Sequence, residues 1–158
     1  GSAGTEELKA ELAADNTAAG RVGYTVAAAA LPDADVKLAA WATAVNTAEL
    51  SNELLSATIE GFNIGSHEIL DAFIPDYFAA LDTVWSTRSI EIASRVVAGL
   101  YPSAQDLAPH TVPADHPVLV LSQEWLESNS AAPAALRRII IEAQDQLLRA
   151  LRAQAAAR

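Results

Sequence analysis

The 158-residue sequence has no cysteine and no methionine. Without cysteine there is no disulfide framework and no thiol chemistry. Aromatic residues make up 6% of the chain, too few for a β-sandwich core, which draws on aromatic and β-branched side chains. Long apolar runs are also missing. Each is broken by Pro, Asp or Arg short of the ~20 residues a membrane-spanning helix needs. Nothing resembles a secretory signal, so the expected location is cytoplasmic, with no membrane partner. Basic residues are scarce: 10 Lys and Arg face 20 Asp and Glu, for a formal charge of −10. Such a chain repels phosphate backbones, and no nucleic-acid partner is expected. The glycines are scattered, so no phosphate-cradling loop forms. No Gly-x-Ser-x-Gly elbow presents a serine nucleophile.

What is present is alanine-rich hydrophobicity. Hydrophobic residues are 51% of the chain, which favours helices packed closely through small side chains. The acidity is uneven. From Ala134 on, five arginines face two acids, leaving residues 1–133 with a formal charge of −13. That terminal segment reads as a basic helix, either solvated or docked on an acidic surface. Gly1-Ser2-Ala3-Gly4 looks like a cloning scar. The remaining residues, 5–158, are therefore expected to come from a longer polypeptide.

Capping residues and apolar spacing divide the chain into about nine helices. Thr5 is expected to cap the first, running to about Asp15. Asn16-Thr17 starts the second, to Leu31, and Asp33 caps the third, about Ala34 to Val45. A fourth is expected from about Ala48 to Gly61, then a turn to Gly65. Ser66 caps His67 to Phe73, and Pro75 opens a helix to about Trp85. Ser86 or Thr87 caps the next, with Ile90, Ala93 and Val97 on its apolar stripe and Glu91 placed to pair with Arg95. Ser103 to Pro113 reads as loop. Pro117 opens a helix to about Ser128, and a long final helix carries Leu136, Ile139, Ile140, Ala143, Leu147 and Leu151 on one face. Val118 to Leu121 is the best strand candidate, but it runs into Gln123-Glu124-Trp125-Leu126, which reads as helix. The expected fold is all-α: antiparallel helix pairs stacked as an α-solenoid, a HEAT- or armadillo-like superhelix with a degenerate repeat.

Few residues offer chemistry. His67-Glu68 resembles half of a His-Glu-x-x-His zinc helix, in which two histidines four apart hold the metal and the Glu activates water. The residue four after His67 is Asp71, and the other two histidines, His110 and His116, lie in or beside a Pro-rich stretch. His67 therefore reads as a helix-start residue. Glu49, Glu53 and Glu60 share one region of a helix, where acids are usually a wet face rather than a catalytic pair. Trp41, Trp85 and Trp125 lie on three helices and read as core anchors. Arg137-Arg138 reads as a solvated pair, with docking or carboxylate binding as the sharper alternative.

A resemblance goes further than spacing. Trp41-Ala42, then the run from Leu54 to Phe62 (LLSATIEGF), then Tyr77 to Leu81 (YFAAL) occur in that order. They are followed by Val84 to Ala93 (VWSTRSIEIA) and Val97 to Pro102 (VAGLYP), then by Leu136 to Glu142 (LRRIIIE) and Leu148 to Gln154 (LRALRAQ). Together they resemble the C-terminal helical domain of bacterial aminopeptidase N of the actinobacterial kind. That domain is similar to the C-terminal domain of the endoplasmic-reticulum aminopeptidases. The likeness covers about Thr5 to Arg158, and it is one of pattern and order rather than of a chemical signature.

The family implies a zinc metallopeptidase that removes N-terminal residues from peptides. Its His-Glu-x-x-His helix, further Glu ligand and Gly-x-Met-x-Asn loop belong to a separate upstream catalytic domain. Neither motif occurs here. The resemblance thus implies no catalytic, cofactor-binding or metal-binding residue in this chain, and zinc only in the upstream domain of the parent. The chain would be the C-terminal half of a helical accessory domain, inactive alone. It would cap the active-site cleft and limit substrate access, with its own parent's catalytic domain and peptides at the cleft as partners. Its first helices would expose an apolar face where earlier pairs stack. The alternatives are a stand-alone helical scaffold that binds another protein and a small metalloenzyme built on His67, His110 and His116.

Overall fold

The fold follows from where helix starts find a hydroxyl or carboxylate to hold their first N–H groups. In the computed structural model, which describes residues 4–47 and 50–157, the chain is all-helical, with no strand among the described residues. It divides into two units, residues 1–70 and 71–158.

The first unit holds α1 (Thr5–Ala14), α2 (Ala18–Ala29), α3 (Ala34–Asn46), α4 (Asn52–Asn63) and the single turn α5 (His67–Leu70). Thr17 caps α2 by accepting from Gly20 N at 3.0 Å, and Asp33 caps α3 by accepting from Asp35 N and Val36 N. Each side-chain oxygen satisfies donors that the helix itself cannot. Two expected starts move. Gly4, not Thr5, is the N-cap of α1, and Glu7 reaches back to accept from Gly4 N at 2.9 Å. Ser51 caps α4, accepting from Leu54 N at 3.2 Å. That helix therefore begins at Asn52, and it runs through Gly61 to Asn63; the expected start at Ala48 lies outside the described residues.

The most extensive packing in this unit joins α2 to α4, with α3 also against α4 and α1 against α2. Gly61 sets the closeness of the α2–α4 contact. A Cβ there would stand 2.3 Å from the Val26 carbonyl oxygen and 2.7 Å from the Ala29 Cβ. The core is Ala29, Ala40, Trp41, Ala44, Leu55, Ala57, Ile59 and Phe62. Trp41 and Phe62 pack with their ring centroids 5.6 Å apart. The first helix buries no residue.

The second unit holds α6 (Ile74–Thr87), α7 (Ile90–Leu100), α8 (Pro117–Ser128) and α9 (Ala134–Ala156), with 3-10 turns at Asp71–Phe73 and Pro113–Asp115. Ser89 caps α7, accepting from Ile92 N at 3.3 Å. The expected cap Thr87 is instead the last residue of α6, and its hydroxyl donates to Thr83 O at 2.6 Å. With the start moved, Ala93 and Val97 stay buried but Ile90 is 72% exposed. The long helix α9 packs against α7 and α8, burying Leu136, Ile140, Leu147 and Leu151. The strand candidate Val118 to Leu121 lies wholly inside α8.

Candidate functional site

Each unit has a buried polar centre, and the two are built differently. In the first, the stem of Lys37 runs inside the unit and the residue is 0% exposed. Its Nζ donates to Ala29 O at 2.7 Å, to Gly61 O at 2.8 Å and to Ile64 O, and it lies 6.0 Å from the Phe62 ring centroid. These carbonyls belong to the C-terminal ends of α2 and α4 and to the residue just beyond α4. A cation there meets the negative ends of two helix dipoles, and at Gly61 O it shares the carbonyl with the Ile64 N–H at 3.2 Å. Burial holds the Lys37 amine below the ordinary lysine value.

In the second unit the centre is neutral. The Tyr77 hydroxyl donates to Val97 O at 2.8 Å. Ser122 donates to Val118 O at 2.8 Å, which leaves its oxygen to accept from the Tyr101 hydroxyl at 2.9 Å. The two tyrosine rings meet edge to face, with centroids 5.8 Å apart. Burial pushes Tyr77 well above the ordinary tyrosine value, with Tyr101 adding to the effect. Burial also raises Tyr101, against the pull of Ser122. The loop that follows Tyr101 is gripped by α9. Gln154 donates to Gln105 O at 2.9 Å and accepts from Leu107 N at 2.8 Å.

The residues singled out from sequence take other places. His67 is half-buried in α5, and Asp71 is exposed at the start of the first 3-10 turn. His110 is exposed in the loop with a φ of 64°, a left-handed backbone uncommon for a residue with a Cβ. Buried His116 is the N-cap of α8, its Nδ1 accepting from Val118 N at 3.3 Å. Among the described residues no group of three or more His, Asp or Glu side chains comes together to hold a metal ion. Glu53 and Glu60 are exposed on α4, and Glu49 lies outside the described residues. Trp41 and Trp125 are buried in their units, whereas Trp85 is half-buried.

Arg137 and Arg138 divide their roles. Arg137 Nη1 donates to Leu126 O at 2.6 Å and Asn129 O at 2.8 Å, holding the C-terminal end of α8. Arg138 stays at the surface, paired with Glu142 at 2.7 Å. Its neighbour's structural task leaves no free arginine pair to hold a carboxylate. Sequence reasoning assigns no role to Lys37 or to the Gln154 side chain.

A helical domain emerges in which buried polar side chains tie helix ends together. Residues 1–149 match the family described as ERAP1-like C-terminal domain, and the chain belongs to that family. It is 39% identical over 155 residues to aminopeptidase N of Streptomyces lividans, covering 97% of this chain and 17% of that relative. The chain thus spans about one sixth of the relative's length. No described helix is long and apolar enough to cross a membrane.

Proposed function

We propose that this chain is a non-catalytic part of a zinc-dependent aminopeptidase, the C-terminal half of its helical accessory domain, acting beside a catalytic domain in the same polypeptide. The carrying observation is the family match across residues 1–149, joined to 39% identity with an aminopeptidase N over nearly the whole chain. In this reading the helices belong to an α-solenoid of stacked pairs that caps the cleft and limits which peptides enter. Zinc is held upstream, and the protein works in the cytoplasm.

Charge supports a role facing peptides. Residues 1–70 carry ten acids against three bases, and one of those bases, Lys37, is buried. An acidic wall attracts a free amino terminus. The test supplies this chain in trans to Streptomyces lividans aminopeptidase N lacking the matched segment, and follows kcat/KM on peptides of increasing length. The chain alone is expected to release no N-terminal residues, and its addition is expected to change the dependence on peptide length. A length dependence identical with and without the chain, despite demonstrated binding, would overturn the reading.

A further inference from the structure

Residues 105–107 are held from two sides. Gln154 on α9 grips Gln105 O and Leu107 N, and His116 forms a hydrogen bond with the backbone of Asp106 between them. Gln105 is tethered further by donating to Asp71 Oδ1 at 3.3 Å. Of these groups, the imidazole is the one that must carry a particular charge. His116 is 7% exposed. Its Nδ1 accepts the Val118 N–H at the start of α8, so Nδ1 carries no proton and Nε2 is the ring donor. A proton on Nδ1 would face that N–H, at the positive end of a helix dipole.

We propose that residues 101–116 form an acid-released strap, held closed by neutral His116 and let go when Nδ1 is protonated. Protonation removes the α8 cap and leaves a buried charge, which the ring relieves by turning to water and dropping its hold on Asp106. Leu107, now buried, is then uncovered. The surface cavity of about 360 Å³ lined by Leu107, Pro109, His110, Thr111 and Ala155, most of whose wall is the strap itself, then comes apart. The left-handed backbone at His110 is a strained point in the same strap.

The charged side chain acting on the ring is Asp71, from the 3-10 turn before α6, which favours the imidazolium. Asp106 acts through its backbone, and Asp115 precedes His116 in the second 3-10 turn. Burial outweighs both favourable contributions and pushes His116 below the ordinary histidine value. The sign follows: an open strap takes up a proton at the ordinary value of about 6.5, and the closed strap does so only at lower pH. The open population therefore rises as pH falls below about 6.5, up to tenfold per pH unit, and levels off once the closed form is itself protonated.

An NMR titration of the 158-residue chain reads His116 directly, with amide exchange at Leu107 and Val118 corrected for intrinsic rates. The expected result is the Nε2–H tautomer at neutral pH, a midpoint below about 6.5, and loss of Leu107 protection over the same range. His116→Asn keeps a capping oxygen and does not titrate there, so its Leu107 protection should stay flat. Asp71→Asn should move the His116 midpoint and the loss of protection to lower pH together. Three outcomes would overturn the proposal: Leu107 protection that ignores the titration, an unchanged acid response in His116→Asn, or two midpoints that separate in Asp71→Asn.

Discussion

The two units solve one problem with opposite chemistry. Both must join helix ends inside an apolar core, alanine-rich in the first unit and built of larger side chains in the second. Residues 1–70 use a single charge, Lys37, shared among three carbonyls. Residues 71–158 use mainly neutral groups, hydroxyls, one amide and one imidazole on Tyr77, Tyr101, Ser122, Gln154 and His116, with one part-buried cation, Arg137, at the end of α8. The difference tracks the size of the apolar core. The second unit has four long, well-packed helices, and losing any one bond leaves the rest in place. In the first unit α1 buries nothing, and the ends of α2, α3 and α4 converge on one ammonium. A concentrated device should fail abruptly and a distributed one gradually.

The largest effect should therefore come from Lys37→Met. Methionine keeps most of the apolar stem but removes the ammonium from three carbonyls, of which Gly61 O keeps the Ile64 N–H and Ala29 O and Ile64 O lose the donor described here. A buried unsatisfied group costs about 1–3 kcal/mol, and Ile64 O is only part-buried, so a loss of about 2–4 kcal/mol is expected in denaturant melts. It should be accompanied by loss of amide protection in α2 and α4 before α8 and α9. A cost under about 1 kcal/mol would show that water replaces the ammonium and that the charge is not the joint of this unit.

Much of the architecture was legible because local signals agreed. Asp33, Thr17 and Pro117 each marked a helix start where the structure has one, and the spacing of Leu136, Ile140, Leu147 and Leu151 gave the buried face of α9. The misplaced starts of α4 and α7 share a cause. Where several hydroxyls lie close together, as at Thr47 and Ser51 or at Ser86, Thr87 and Ser89, composition does not say which one caps. Lys37 was missed for a different reason: a lysine beside Leu38 reads as the wet residue. Helical spacing held the contrary signal. Ala40, Trp41 and Ala44 lie three, four and seven positions on and are buried, which places Lys37 on the same face. Leu38, one position round, is 56% exposed. His116 stands out in the sequence as a candidate metal ligand, and Arg137 as half of a solvated or carboxylate-binding pair, because their residue types do such chemistry elsewhere. Here both satisfy helix ends, a role that depends on where α8 starts and stops.

A middle-sized effect should separate the units by pH. Tyr77 and Tyr101 are raised, chiefly by burial, so the unfolded chain loses their protons first, near the ordinary value of about 10. Above that pH the folded state holds more protons than the unfolded one, and stability falls as pH rises. Lys37 has the reverse sign. Its folded value is lowered, so between that value and the ordinary one the unfolded chain holds more protons, and its contribution rises with pH. Alkaline melts should thus weaken residues 71–158 while Lys37 works in the opposite direction in residues 1–70. Tyr77→Phe strands the Val97 carbonyl and should cost about 1–2 kcal/mol at neutral pH. The gap to the unsubstituted protein should narrow above pH ~10. A gap that widens there would contradict a raised Tyr77.

The smallest effect tests whether the second unit's charges behave as its neutral groups do. Arg137 and Arg138 are adjacent in sequence and differ in what they touch. Arg137 holds two carbonyls at the end of α8, part-buried, while Arg138 makes a surface i,i+4 pair with Glu142. Water can reach a part-buried carbonyl that loses its donor, so Arg137→Ala should cost about 1 kcal/mol, well short of Lys37→Met. Arg138→Ala should leave the melting midpoint unchanged within error, because an exposed pair exchanges one solvated partner for another. The pair of melts decides whether distribution or charge sets the contrast between the units. If Arg137→Ala matched Lys37→Met, the second unit would also hang on one cation, and its larger core would not be what spreads the load.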